Sequence, residues 1–313
     1  MAPRNIIIDT DPGQDDAVAI LLALASPEDV TVLGITAVAG NVPLPLTEKN
    51  ARIVCELAGQ PETKVFAGCD APLHRALITA EHVHGKTGLD GPPLPDPTMA
   101  LQKGHAVDFI IDTLRAEPTN TVTLCPLGPL TNIATAFQKA PDVVEKVQEI
   151  VLMGGGYFEQ GNITPSAEFN IYVDPEAADV VMQCGRPITM MPLDVTHDAL
   201  ATRERVDTFR ALGTRVGEVV AGWLDFFERF DVEKYGSAGA PLHDPTVIAY
   251  LLKPDLFSGR HINVQIETQS ALTLGATVAD WWRVTDHAPN ATFMRAIDAE
   301  GFFQLLTDRL ARL

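Results

Sequence analysis

With 313 residues, 46% of them hydrophobic, and a mean hydropathy of +0.09, the chain is long enough to bury one large core, and it is expected to form a single domain over 1–313. A formal charge of −18 and a pI near 4.7 repel phosphate backbones and anionic lipid, which argues against nucleic-acid and membrane-surface partners and suits a metal or a neutral or cationic small molecule. No apolar run approaches membrane-spanning length and the run at 6–8 is far too short for a signal segment. Cys55, Cys69, Cys125 and Cys184 show no CxxC or Cys/His spacing, so the expectation is a cytoplasmic protein with reduced thiols, no disulfide and no zinc.

Short β-rich runs alternate with helical patterns from the start: a strand at 6–8 and a helix at 17–25, then 30–38 and 47–58. The pairs 65–67 with 106–114, across a long loop, and 122–125 with 130–137 continue the pattern. Strands follow near 150–153 and 188–191, with a helix at 176–183 opened by Asp174 as cap and Pro175 as first residue. Such alternation builds βαβ units, so the expected fold is α/β, a mainly parallel open sheet with helices on both faces. Residues 203–229 read as helical, a helix starts within 243–250, 262–267 reads as a strand, and 291–310 as a closing amphipathic helix. Two loops rich in Gly, Pro and His, 68–98 and 154–166, are longer than ordinary connections and are expected to shape a site. The triple glycine 154–156 lacks GxGxxG spacing, so it reads as flexible loop and not as a dinucleotide site.

The chemistry concentrates after the first strand. Asp9, Asp11, Asp15 and Asp16 fall within eight positions, between an apolar strand and an apolar helix, where open parallel sheets bind ligands. So many like charges are costly without a cation, and an all-oxygen donor set with no Cys or His suits Ca²⁺ or Mg²⁺. A plain helix N-terminus accounts for Asp15 and Asp16, which favour the helix dipole, but leaves Asp9 and Asp11 unexplained. An EF-hand is excluded, because the sixth position counted from Asp9 is Gln14 and the twelfth is Ile20. Strand-Asp-x-Asp also opens phosphohydrolases of the haloacid dehalogenase type, which follow the second Asp with Thr or Val, whereas Pro12 and Gly13 stand here.

The whole segment DTDPGQDDAVAI resembles the N-terminal signature of the inosine-uridine preferring nucleoside hydrolase family. The resemblance recurs, in family order, in AVAGN ending at Asn41, HGKTGLDG from His84, PLGPLTNIA from Pro126, VLMGGG from Val151, NITPSAEFNIYVDPEAA from Asn162 and PLHDP from Pro241. It implies a Rossmann-like nucleoside hydrolase architecture and hydrolysis of the N-glycosidic bond of ribonucleosides, with calcium as the cofactor and a homotetramer or dimer as the assembly. Asp11 is implied to be both a calcium ligand and the general base that activates water, with Asp16, Asp244 and the backbone carbonyl of Leu127, where the family commonly has Thr, completing the metal set. Asp15 is implied to hold ribose hydroxyls, together with Asn41, Asn162, Glu168 and Asn170, and Met153 to touch the sugar. Asp9 is either a buried acceptor behind the site or a cap on the turn, two readings that stay equally open.

Glu168 and Asn170 are two apart, so in extended chain both point one way with Phe169 opposite. Taken alone, Asp244 before Pro245 reads as a helix cap; the resemblance makes it a metal ligand and places His243 at the base as the leaving-group acid. His84 is implied near the base, whereas His82, His74, His105, His261 and His287 are expected to face solvent. The aromatic stretch 226–230 reads by spacing as core, and the resemblance makes Phe227 and Tyr235 candidates to cover the base. Tyr235 stands eight positions before His243, as in pyrimidine-preferring members, which implies that uridine or cytidine is handled at least as well as inosine. The competing readings are the dehalogenase-type phosphohydrolase and a non-catalytic nucleoside-binding protein.

Overall fold

The computed structural model describes residues 2–313, with side chains throughout except at 230–235. The chain opens with β1 (Arg4–Thr10) and α1 (Gln14–Leu24), followed by β2 (Val30–Ala37), α2 (Leu44–Leu57) and β3 (Val65–Ala67). The long loop expected at 68–98 is present and holds one short helix, α3 (Glu81–His84), before α4 (Ala106–Ala116), β4 (Val122–Pro126), α5 (Thr131–Lys139) and β5 (Val147–Met153). After the second long loop come α6 (Phe169–Val173), α7 (Pro175–Met182), β6 (Ile188–Met191) and α8 (Leu193–Thr196). The remainder comprises β7 (Leu200–Thr202), α9 (Arg203–Arg210), α10 (Arg215–Tyr235), β8 (Gly239–Pro241), α11 (Pro245–Leu252), β9 (Phe257–Ile262), β10 (Val264–Ile266), β11 (Thr277–Ala279), β12 (Ala291–Ile297) and α12 (Ala299–Leu310).

Eight strands form one sheet in the order β3-β2-β1-β4-β5-β6-β12-β9, with parallel neighbours except for the antiparallel β12–β9 pair at one edge. This is the mainly parallel sheet expected from sequence, covered on both faces. In β1, Ile6 and Ile8 enter the core shared with α1, α10 and α11, while Ile7 enters the opposite core shared with α4, α5 and α7. Alternate side chains of a strand point to opposite faces, so three consecutive isoleucines are what a doubly covered central strand requires. The winding direction reverses between β1 and β4, and the crevice at their carboxyl ends is where such sheets bind ligands. Among the described residues, no helix is long and apolar enough to cross a membrane.

Three expectations about the second half are corrected. Residues 203–229 are two helices rather than one, because Gly213 takes a left-handed conformation (φ 67°) that ends α9, and Thr214 restarts the chain by accepting the Gly217 N–H. Residues 291–297 form β12 and not helix: their apolar spacing serves pairing with β6 and β9, and the helix begins after Asp298, whose carboxylate caps Gly301 N at 3.1 Å. The strand read at 262–267 is the end of β9 followed by β10, which pairs with β11 in a separate small hairpin.

One side chain joins the elements beneath the crevice. Asn132, in the first turn of α5, donates to Asp9 Oδ1 (2.8 Å) and to the Ala37 carbonyl (3.2 Å), and its Oδ1 accepts from Cys69 N (2.8 Å). Replacing it with alanine removes three hydrogen bonds that join β1, β2 and the loop after β3 and leaves Cys69 N without this acceptor, while Asp9 Oδ1 keeps Thr36 Oγ1 and the Ala37 carbonyl keeps Gly68 N. Asn132→Ala is expected to lower the free energy of unfolding by about 3 kcal/mol, read from urea denaturation at constant m; a loss below about 1 kcal/mol would show that the network does not tie these elements together.

Candidate active site

The carboxyl end of β1 delivers four aspartates into the crevice, and each has a different set of partners. Asp9 accepts from Thr36 Oγ1 (2.5 Å) and Asn132 Nδ2 (2.8 Å) and caps no backbone of the turn, so of its two readings the buried acceptor stands; burial pushes its carboxyl up to about 7. Asp16, in the first turn of α1, is the hub of the turn, accepting from Thr10 Oγ1 (2.5 Å), Gly13 N (2.9 Å), Asn41 Nδ2 (3.2 Å) and Asp11 N (3.3 Å). Asp11 accepts from Asn41 N through Oδ2 (2.7 Å), while its Oδ1 is buried with no partner. Asp15 likewise has a buried, unpartnered Oδ1.

The fifth carboxylate arrives from the far end of the chain. Asp244 occupies the N-cap position of α11, yet its side chain makes no capping hydrogen bond. It turns instead to the acids of α1: carboxylate oxygens of Asp15, Asp16 and Asp244 lie within 4.8 Å of one another, all three residues buried. Asp11 stands beside this trio and not within it, which differs from a ligand set of Asp11, Asp16 and Asp244. Space around Asp11 is kept by two glycines. A Cβ on Gly40 would sit 2.1 Å from Asp11 Oδ2, and one on Gly128 2.2 Å from Oδ1.

Burial first, and the charge of Asp16 second, push the carboxyls of Asp11 and Asp15 up, Asp15 to about 8; burial and then the charges of Asp15, Asp16 and Asp11 push Asp244 well above the usual carboxylate range. No lysine or arginine pairs with any of them among the described residues. Buried like charges with orphaned oxygens and no cationic side chain are the donor chemistry of a hard divalent cation, so the residues present fit one.

Above the acids lies a cleft lined by Asp15, Asp244, Asn41, Leu127, Met153, Asn162, Glu168 and Asn170 together with His82, His84, His197, His243 and Phe227. The site residues assigned from sequence therefore gather at or directly beside one cavity, except Tyr235, which lies outside the residues whose side chains are described. The expected extended geometry at 168–170 is corrected. Glu168 is the N-cap of α6, accepting from Asn170 N (2.8 Å), Ile171 N (3.2 Å) and Gly155 N (2.9 Å), and burial pushes it up to about 7. A helix start, rather than a strand, brings Glu168, Phe169 and Asn170 all to the cleft wall. Asn170 Nδ2 donates to the Leu127 carbonyl (2.6 Å) and to Met153 O (3.3 Å), and Asn162 Oδ1 accepts from Phe169 N (2.9 Å).

His82 is exposed as expected but also borders the cleft, and His105, exposed as expected, also caps α4 by accepting from Val107 N. Sequence reading missed His197, whose ring centroid is 5.8 Å from that of His243 and whose Nδ1 is 3.6 Å from Glu159. The signal was its place just past the carboxyl end of β6. His243 pairs with Thr196 Oγ1 at 2.7 Å, and burial, reinforced by the neighbouring rings of His197 and His84, holds its imidazole well below the ordinary range. His84, stacked on Phe227 at 5.3 Å, is held down to about 4 by burial. Both rings are held toward the neutral form, so at rest His243 does not carry the second proton that a leaving-group acid gives up.

Residues 6–304 match the family model described as inosine-uridine preferring nucleoside hydrolase. The chain belongs to this family of nucleoside hydrolases. It is similar to an uncharacterized protein of Schizosaccharomyces pombe (54% identity, 99% of each chain) and to the pyrimidine-specific ribonucleoside hydrolase RihA of Shigella boydii (49% identity, 97% of each chain). Among solved structures it resembles the purine-preferring ribonucleoside hydrolase from Gardnerella vaginalis, with a TM-score of 0.91 and 33% identity over 98% of each chain. As a nucleoside hydrolase the chain is an enzyme that cleaves the N-glycosidic bond of ribonucleosides with water, and the dehalogenase-type and non-catalytic alternatives fall away.

The two glycines that admit the Asp11 carboxylate give a test of the site. In Gly128→Ala the new methyl must displace Asp11, so ribose release is expected to fall about 100-fold, the cost of misplacing a reacting group by about 1 Å, with circular dichroism unchanged. Retention of more than about half the activity would mean that the position of Asp11 is not critical.

Proposed function

We propose that this nucleoside hydrolase acts preferentially on pyrimidine ribonucleosides, holds calcium at the acidic cluster and uses Asp11 as its general base. The observation that carries the reading is the unpartnered, buried Oδ1 of Asp11 beside the carboxylates of Asp15, Asp16 and Asp244. Asp16 and Asp244 of that trio would hold the calcium, with Asp11 and the carbonyl of Leu127 completing the set from beside it and Asp15 shared between the cluster and the ribose. Bound there, calcium supplies the positive charge that neutralises the acids, orients the ribose diol and eases deprotonation of a water.

The protein's own groups supply the rest. Asp15, Asn41, Asn162, Glu168 and Asn170 receive the sugar hydroxyls, which lose water in the cleft and must find partners there. Asp11 Oδ1 accepts the proton of the attacking water, and the surrounding carboxylates stabilise the positive charge that develops on the ribosyl ring. Met153 packs against the sugar, while His84, His243 and Phe227 surround the base. Preference for pyrimidines is supported by the pyrimidine-specific relative at 49% identity, against the purine-preferring structure at 33%, and by the position of Tyr235 eight residues before His243. Free thiols at all four cysteines support a cytoplasmic site of action, and the family resemblance supports a homotetramer or dimer.

Two measurements test this reading. Asp11→Asn keeps the volume and one oxygen while removing the base, and kcat should fall by about 10² to 10⁴ with KM changed much less; a variant keeping more than about a third of wild-type kcat would contradict the role of Asp11. For the wild type, kcat/KM for uridine is expected to equal or exceed that for inosine, and a clear preference for inosine would overturn the assignment to pyrimidines.

A further inference from the structure

His84 and His243 both line the cleft, and each commits its Nδ1 to a buried partner, which leaves Nε2 for the occupant of the cleft. The two partners differ in kind. The amide of Gln14 has its orientation fixed by two backbone carbonyls, those of His84 and Asp90, each 3.0 Å from Nε2, so that atom is the NH₂ group. Oε1 is then the atom 2.8 Å from His84 Nδ1, and a carbonyl oxygen accepts without donating. The proton of a neutral His84 therefore sits on Nδ1, and its Nε2 is a lone pair.

At His243 the logic reverses. Its Nδ1 lies 2.7 Å from the hydroxyl of Thr196, a residue with no exposed surface whose Oγ1 has no other partner among the described residues. If that hydroxyl accepted from Nδ1–H, its own proton would be left in the core without an acceptor, whereas if it donates, both groups are satisfied. The proton of a neutral His243 then sits on Nε2, as a donor.

We propose that Gln14 and Thr196 hold His84 and His243 in opposite tautomers, so that the cleft presents one imidazole acceptor and one imidazole donor to the nucleoside, with Thr196 as the positioning residue for the donor. The inference deepens the reading of the cleft as a ribonucleoside site and rests on it. When the C1′–N bond breaks, the electron pair leaves with the base, and its negative charge spreads onto a ring carbonyl oxygen. His243 Nε2–H stabilises that charge by a hydrogen bond without surrendering its proton, and the released base takes a proton from water. His84 Nε2 accepts from an N–H or hydroxyl of the substrate.

Nitrogen NMR of the intact enzyme labelled with ¹⁵N-histidine reads the tautomers without catalysis, the two signals being assigned by their loss in His84→Gln and His243→Gln. Two-bond couplings to the ring C–H protons are expected to show Nδ1 protonated in His84 and Nε2 protonated in His243; the same tautomer in both rings would overturn the inference. Thr196→Val should lower the ratio of kcat/KM for uridine to that for p-nitrophenyl riboside, whose leaving group needs no hydrogen bond, by about tenfold. Thr196→Ser should restore the ratio to within about twofold of wild type. An unchanged ratio in a folded valine variant would overturn the role of Thr196, and if valine prevents folding, the serine variant must still show the Nε2–H signal of His243. Failure of the wild type to release ribose from any nucleoside would instead remove the reading of the site, which the NMR result does not depend on.

Discussion

Uncompensated negative charge, buried where β1 and β4 part, is the constraint around which the rest of the molecule is arranged. Carboxylates taken out of water without a counter-charge are among the most costly groups a fold can hold, and here Asp11, Asp15, Asp16 and Asp244 stand together with no lysine or arginine paired to them among the described residues. The parallel sheet provides the place, because its order reverses there and the loops after neighbouring strands diverge. The helices provide the rigidity: α1 fixes Asp15 and Asp16, and α11 delivers Asp244 from more than 200 residues away, as 244 − 16 = 228 shows.

Much of the surrounding structure follows from accommodating that charge. Asn41 donates three hydrogen bonds to the cluster, two of them to carboxylates and one to the Asp11 carbonyl, and so couples the loop after β2 to the turn after β1. Asn132 does the same for Asp9 from the side of α5. Gly40 and Gly128 exist as glycines because any side chain there would occupy the space of the Asp11 carboxylate. The far wall is organised by α8, where Asp194 accepts the backbone N–H groups of Tyr157 (2.8 Å), Phe158 (2.6 Å) and Glu159 (3.3 Å), and Thr196 holds His243. One short segment thus anchors both the loop that bears Asn162 and the ring of His243.

What could be read from the sequence, and what could not, divides along the same physical line. Asp9 through Asp16 were legible because four acids after an apolar strand have few structural explanations, and the alternation of strands and helices through residue 191 follows from a doubly covered parallel sheet. Asp244 was legible only through the family resemblance, since Asp before Pro is otherwise an ordinary helix start; the structure shows that it performs no such capping. The start of α6 at Phe169 was hidden because Ala167 to Ile171 alternates as a strand would, and the deciding bonds, from Glu168 to three backbone N–H groups, are invisible in sequence. Thr196 went unread because a threonine there does not stand out, and His197 because its one signal, a place just past the end of β6, depends on where that strand stops. Residues 291–297 were misread because apolar residues at mixed spacing fit a helix as well as a strand inside the sheet, and only pairing with β6 and β9 decides between them.

The account turns on a cation at the cluster, so the most direct test is the calcium content of the folded protein. Protein equilibrated with calcium and freed of unbound ion by gel filtration is predicted to carry about one calcium per chain by elemental analysis. Asp244→Ala, which removes a carboxylate that caps nothing, should lose the ion while keeping the fold. Wild-type protein shown to be metal-free yet releasing ribose at its full rate would contradict the account.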